Sequence, residues 1–237
     1  MEFAEQTVLV AGGTGGLGRA VSLAFLAAGA AVTVTYVVDR EFAELQTAAG
    51  PNLSKLAGHK VDVTDEEAVR ELVDAMLAKG GRLDALVNTV GGFAGGEKVW
   101  DEDNSVMDRM LALNLRSGYV LSRVAARVML RQRRGSILNV ASRAALVHEA
   151  GLGAYAASKA AALALMDSLA ADLAGSGVRV NSILPSIIDT EANRRAMPKA
   201  DFSKWPKPEE IARVILFLAG DDARLIHGAA VPVYGGA

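Results

Sequence analysis

The sequence contains no cysteine, which excludes disulfides, thiolate nucleophiles and cysteine-ligated metal. Histidine is scarce: His59, His148 and His227 are the only three. They share no metal-ligand spacing, so no metal site is expected. Long apolar runs are missing too; none reaches the roughly 18 residues that a membrane helix needs. The first residues lack the charged head and apolar stretch of a secretory signal. A soluble, cytoplasmic protein without membrane contact is the expectation. Nor is there an excess of one charge: 25 Lys and Arg stand against 27 Asp and Glu, a formal net charge of -2. Nucleic-acid binding needs a concentrated basic surplus, and none is present. The one basic cluster, Arg131-Gln132-Arg133-Arg134, falls where a helix should stop before Gly135, and there it offsets the negative pole of the helix dipole.

What is present is enough apolar residue, 51% of 237, to bury one continuous core. Short β-branched runs alternate with longer stretches of helical period, the mark of βαβ units around a parallel sheet. Strands are predicted at Thr7–Ala11, Ala31–Val37, Lys55–Val61, Leu83–Asn88, Ser136–Ala141, Arg179–Leu184 and Ala229–Val233. Helices are predicted at Leu17–Ala28, Glu66–Lys79, Ser105–Leu130, Ala154–Ala174 and Pro208–Ala219. Thr64 with Glu67 reads as a capping box, and Pro208 suits a first helical turn. With no linker, composition break or repeat, residues 1–237 form one doubly wound α/β domain of about seven strands. Two segments escape the alternation: Gly91-Gly92-Phe93-Ala94-Gly95-Gly96, and residues 186–207. Both follow strands, so both are candidate cover for a ligand site at the carboxyl edge of the sheet.

After the first strand comes Gly12-Gly13-Thr14-Gly15-Gly16-Leu17-Gly18, followed at once by a helix. Glycines permit the tight turn and let backbone amides approach a pyrophosphate at the positive helix end. Further along, Tyr155 and Lys159 stand at i and i+4 on one helix face. An ammonium beside a phenol favours phenolate and is expected to lower the pKa of Tyr155, making it a usable acid and base. Ser142, just past the fifth strand, is placed to bind a substrate oxygen.

In order and spacing, Gly12, Gly16 and Gly18, then Asn88-Thr89-Val90-Gly91, Asn114, Ser142 and Tyr155-x-x-x-Lys159 resemble the short-chain dehydrogenase/reductase family, from Thr7 to Gly236. The resemblance implies a Rossmann fold, a nicotinamide dinucleotide and a catalytic tetrad of Asn114, Ser142, Tyr155 and Lys159. Tyr155 would protonate a carbonyl oxygen as hydride arrives, Ser142 would steady that oxygen, Lys159 would hold the ribose, and Asn114 would keep a water in the proton relay. It also implies cofactor contacts from Gly12, Thr14, Gly15, Gly16, Leu17 and Gly18, from Asp62 and Val63 at the adenine, and from Asn88, Val90 and Gly91 beside the central strands. Pro185, Ile188 and Thr190 match the family's P-G-x-x-x-T, with Ser186 in place of its glycine.

At the end of the second strand, where NAD-selective relatives place an acid, stands Tyr36. Arg40 is near enough in sequence to attract a 2′-phosphate, so the sequence leans toward NADP(H) over NAD(H). The glycine-rich 91–96 loop and the stretch Asp189–Trp205 look like dihydropteridine reductase, yet those enzymes lack the serine of the tetrad. Carbonyl or alcohol chemistry therefore leads, pterin reduction is the alternative, and a catalytically silent dinucleotide sensor is the rival from another class. Phe93, Leu146, His148, Leu152, Ile187 and Trp205 are the expected substrate lining. The small, apolar surfaces of Ser105–Leu130 and Ala154–Ala174 suit helix packing between subunits, and the resemblance implies a homotetramer, or failing that a dimer.

Overall fold

The computed structural model describes residues 3–236. Its first strand shows why the sheet is covered on both sides: β1 (Thr7–Ala11) is buried throughout, and successive side chains of a strand point to opposite faces. Val8 and Val10 enter one apolar cluster with α1 (Gly16–Ala27) and α8 (Pro208–Ala219). Leu9 and Ala11 enter the other, with α3 (Glu66–Gly80), α5 (Ser117–Gln132) and α6 (Gly153–Asp172). A strand buried on both faces reads as a continuous apolar run, as this one does.

The remaining strands are β2 (Ala31–Tyr36), β3 (Leu56–Lys60), β4 (Ala85–Asn88), β5 (Gly135–Val140), β6 (Val178–Pro185) and β7 (Ala229–Val233). All pairings are parallel, in the order β3-β2-β1-β4-β5-β6-β7. The direction of winding reverses between β1 and β4, which opens a crevice at their carboxyl ends, the usual ligand position in such sheets.

Three local expectations are corrected. Residues 39–49, left without an element, form α2 (Asp39–Ala49); only Leu45 and Ala49 on it are buried, so its apolar stripe is too thin to show helical period. The expected helix Ser105–Leu130 is α4 (Asn104–Leu111) and α5 joined by a π-helical turn, Ala112–Arg116. The wider turn holds Asn114, almost fully buried. Such insertions recur at functional positions. The cap of α3 is Asp65, whose carboxylate accepts from the amides of Glu67 and Ala68, and not Thr64. A carboxylate one residue nearer the helix outcompetes the hydroxyl, while Thr64 is held by Asp62 through its amide at 2.9 Å and its hydroxyl at 2.7 Å.

The segment 186–207 has its own structure. It contains α7 (Glu191–Ala196) and a 3₁₀ turn at Phe202–Lys204. Arg194 binds both carboxylate oxygens of Asp189 and lies 5.0 Å over the Phe202 ring, which is tilted against Trp205 at 4.9 Å.

Candidate active site

The glycine turn is shaped by contacts that exclude side chains. A Cβ on Gly18 would stand 2.1 Å from the Gly12 carbonyl oxygen, and one on Gly13 would stand 2.5 Å from Val34. These two let α1 approach the strands as closely as it does. Gly12 has φ of +72°, a left-handed conformation that glycine adopts without strain. Its amide donates to Thr35 Oγ1 at 2.9 Å, and the amide of Gly13 to the Thr35 carbonyl. No side chain caps α1 and no acid lies in its first turn, so the amides there face outward at the positive end of the helix. That arrangement fits an anionic diphosphate.

Beyond β4, Asn88 is a hinge pin: its Oδ1 accepts from the Val90 amide at 3.1 Å, and its Nδ2 donates to Asn139 Oδ1 at 3.0 Å. Asn114 clamps the next residues. Its Oδ1 accepts from the Gly92 amide at 2.9 Å, while its Nδ2 donates to the Gly92 carbonyl at 3.1 Å and to Ser158 Oγ at 2.9 Å. Gly91 lies between Asn114 and Lys159: a Cβ there would be 2.9 Å from Asn114 Oδ1 and 3.1 Å from Lys159 Nζ.

Lys159 is buried and donates from Nζ to the Val140 carbonyl at 3.0 Å. Burial lowers its pKa from 10.5 to about 8, because an ammonium loses hydration it does not fully recover. The expected lowering of Tyr155 is not found. Burial pushes the phenol above its usual value of 10.0, and the Ser142 hydroxyl beside it works the other way. The ammonium is directed at the Val140 carbonyl, and desolvation of the phenol dominates. Ser142 caps a 3₁₀ turn by accepting from the Ala144 amide at 3.1 Å, and its own hydroxyl stands beside the Tyr155 phenol. The ring of Phe93 meets Tyr155 edge-on at 5.0 Å.

A buried serine and a half-buried tyrosine at the crevice of a doubly wound sheet, with a lysine one helical turn from the tyrosine, invite comparison with known proteins. Residues 11–237 match a family model described as enoyl-(acyl carrier protein) reductase. The chain is 30% identical to the 3-oxoacyl-[acyl-carrier-protein] reductase FabG of Thermotoga maritima over 244 residues, covering 100% of this chain and 99% of that one. It belongs to the short-chain dehydrogenase/reductase family. Two solved structures, each 26% identical with a TM-score of 0.91, extend the likeness: ElxO with NADP bound, with 98% of both chains covered, and NAD+-bound xylitol dehydrogenase, with 100% of both covered.

This short-chain dehydrogenase/reductase brings most of its sequence-predicted site together. Val90 packs against Gly12, and the Thr190 methyl against Gly16, where an added Cβ would be only 2.8 Å away. Thr190 also caps α7, and Ile188 accepts at its carbonyl from Asn193 Nδ2. Pro185 closes β6, and Ser186 keeps a negative φ while its hydroxyl holds the Tyr234 carbonyl at 2.7 Å. The exchange of glycine for serine thus costs no backbone strain. Asp62 is exposed beside buried Val63, and its bonds to Thr64 hold its carboxyl below the usual range.

On the substrate side, Phe93, Leu146 and Ile187 expose apolar surface, His148 is exposed, and Leu152 lies within reach of Gly95. Trp205 departs from expectation. It is buried on Phe202, so it anchors the segment from within and does not present its ring as an open wall. Tyr36 stacks flat on Phe42 at 4.6 Å, and Arg40 reaches along α2 to Glu44 at 3.6 Å.

Sequence reasoning missed Thr35, Glu41, Thr89, Asn139 and Ser158. Thr89 Oγ1 donates to the carbonyls of Ala11 and Gly12 at 2.7 and 3.1 Å. Glu41 accepts from Thr14 Oγ1 at 3.0 Å. Asn139 could have been found as a polar residue in an otherwise apolar strand; Glu41 had no local signal.

Proposed function

We propose that this chain is an NAD(P)(H)-dependent oxidoreductase that interconverts a carbonyl and an alcohol, with Tyr155 as acid and base. The nicotinamide dinucleotide, when bound, supplies or takes up the hydride. The observation that carries the reading is the pairing of Tyr155 with Ser142 at the mouth of the crevice. Because burial raises the phenol pKa, Tyr155 holds its proton at neutral pH and donates it to the carbonyl oxygen as the alkoxide develops. The Ser142 hydroxyl, braced by the Ala144 amide, gives a second hydrogen bond to that oxygen. Lys159, whose ammonium lies beside the Gly91 turn, would hold the ribose. Asn114, whose side chain is spent on Gly92 and Ser158, fixes the loop that separates it from Lys159.

The apolar exposure of Phe93, Leu146 and Ile187 favours a hydrophobic ketone, aldehyde or ring alcohol. The stretch Asp189–Trp205 that resembles dihydropteridine reductase folds on its own Asp189–Arg194 ion pair and Phe202–Trp205 contact. That leaves Ser142 to favour carbonyl chemistry over a pterin. As to the dinucleotide, ElxO carries NADP and xylitol dehydrogenase NAD+ at equal similarity. The lean toward NADP(H) depends on Tyr36 and on Arg40.

For assembly, an apolar groove of about 550 Å³ between Leu111, Leu115, Tyr119 and Leu165 supports packing of α4, α5 and α6 against a second copy, within the proposed tetramer.

The test is Tyr155→Phe, assayed for oxidation of NADH and NADPH against a panel of carbonyl compounds. Loss of a general acid lowers the rate by about 10²–10⁴-fold, while dinucleotide affinity should stay within about threefold. A phenylalanine variant with wild-type turnover would refute the mechanism.

A further inference from the structure

The turn that receives the cofactor carries a charge that the sequence did not place there. Glu41 lies in the first turn of α2, five residues beyond the end of β2. Its side chain nevertheless returns to the glycine turn, where Oε2 accepts from the hydroxyl of buried Thr14 at 3.0 Å. The acids and bases around it can be paired off. Asp39 binds Lys60 at 2.7 Å, and Glu44 faces Arg40 at 3.6 Å and Arg19 at 3.9 Å. Among the described residues, Glu41 is the α2 carboxylate at this corner with no cation within 4.0 Å.

We infer that Glu41 makes this chain select NAD(H) over NADP(H). The inference rests on the reading of the chain as a nicotinamide-dependent enzyme and reverses the lean drawn from Tyr36 and Arg40. In doubly wound folds the adenosine ribose lies past the end of β2, where an acid accepts from its hydroxyls and repels a 2′-phosphate. Tyr36 occupies the end of that strand and is stacked on Phe42, so no charge arises there. Glu41 supplies it from the neighbouring helix instead, and Thr14 holds it in place. Gly15 offers no cation to offset it, and Arg40, 82% exposed at its side chain, is turned along its own helix. A 2′-phosphate would bring about two further negative charges beside an unpaired carboxylate, a repulsion that short range and partial burial of the corner leave only partly screened.

The experiment is a fluorescence or calorimetric titration of the full chain with NADH and NADPH, without substrate, for the wild type, Glu41→Gln and Glu41→Ala. Glutamine keeps an acceptor for Thr14 and removes only the charge; alanine removes both. The wild type is expected to bind NADH at least about tenfold more tightly than NADPH, equivalent to 1.4 kcal/mol. Glu41→Gln should bring the two within about threefold of each other, chiefly by tightening NADPH. A wild type that binds NADPH as well as NADH, or a preference unchanged in both variants, would overturn the assignment of Glu41 and leave the proposed function standing. Failure of the wild type to bind either dinucleotide would overturn both.

Discussion

Replacing Gly91 by alanine tests how tightly Asn114 and Lys159 are wedged. Gly91 has no positive φ, so alanine meets no backbone penalty and the effect is steric. The new Cβ would lie 2.9 Å from Asn114 Oδ1 and 3.1 Å from Lys159 Nζ, so one of the groups must move by several tenths of an ångström. Asn114 has no freedom, because its amide bonds Gly92 on both sides and Ser158 as well. Lys159 must therefore yield and lengthen its 3.0 Å bond to Val140, or the 91–92 backbone must lift. Overpacking of this kind costs about 1–3 kcal/mol. At about 2–4 °C per kcal/mol for a chain of this size, the melting temperature should fall by roughly 2–12 °C. The same energy expressed in the placement of Lys159 lowers kcat/KM by about 5- to 150-fold. Differential scanning fluorimetry and steady-state kinetics with the preferred dinucleotide read the two effects separately. An alanine variant with wild-type melting temperature and kcat/KM would refute the argument that glycine is required by the Asn114–Lys159 contact.

Two other expectations rest on charge. Lys159, at about 8 against 10.5 when solvated, loses its proton in the folded chain before the unfolded one does. Folding stability from this group therefore rises with pH between those values and levels off below about 8; dinucleotide affinity, which uses the ammonium, should fall as pH rises through the same point. Titrations from pH 6.5 to 9.5 should show that fall in the wild type and a flat profile in Lys159→Met; parallel profiles would remove the proposed contact. Away from the site, the buried carboxylate of Asp84 accepts from the Thr7 amide at 2.9 Å and from Arg82 Nε at 2.8 Å. Asp84→Ala orphans that amide at the start of the central strand and should cost about 2–3 kcal/mol, with Asp84→Asn costing less because it keeps an acceptor. Urea denaturation decides, and an alanine variant within about 0.5 kcal/mol of the wild type would contradict it.

The pattern of apolar residues alone determined the class of fold and the position of the crevice. Each central strand is buried on both faces and each is followed by a turn signal, so periodicity, glycine placement and the four tetrad positions are local properties of the chain. The i, i+4 spacing of Tyr155 and Lys159 and the tight glycine turn before α1 were legible for the same reason. The tertiary structure decided what depends on groups far apart in sequence. Whether the phenol pKa rises or falls is set by burial and by where the Lys159 ammonium points, and Val140 is 19 residues from that lysine. The π-helical turn that buries Asn114 has no composition signature, because it is imposed by what Asn114 must reach: the Gly92 backbone and Ser158, 44 residues away. Trp205 looked like a pocket wall because an aromatic in a loop has no local reason to be buried; Phe202 and Arg194 supply one only after the segment folds. Nothing local in the sequence sets Glu41 apart from the other acids of residues 39–49. Only the return of α2 to the glycine turn, across 27 residues, gave that carboxylate Thr14 as a neighbour.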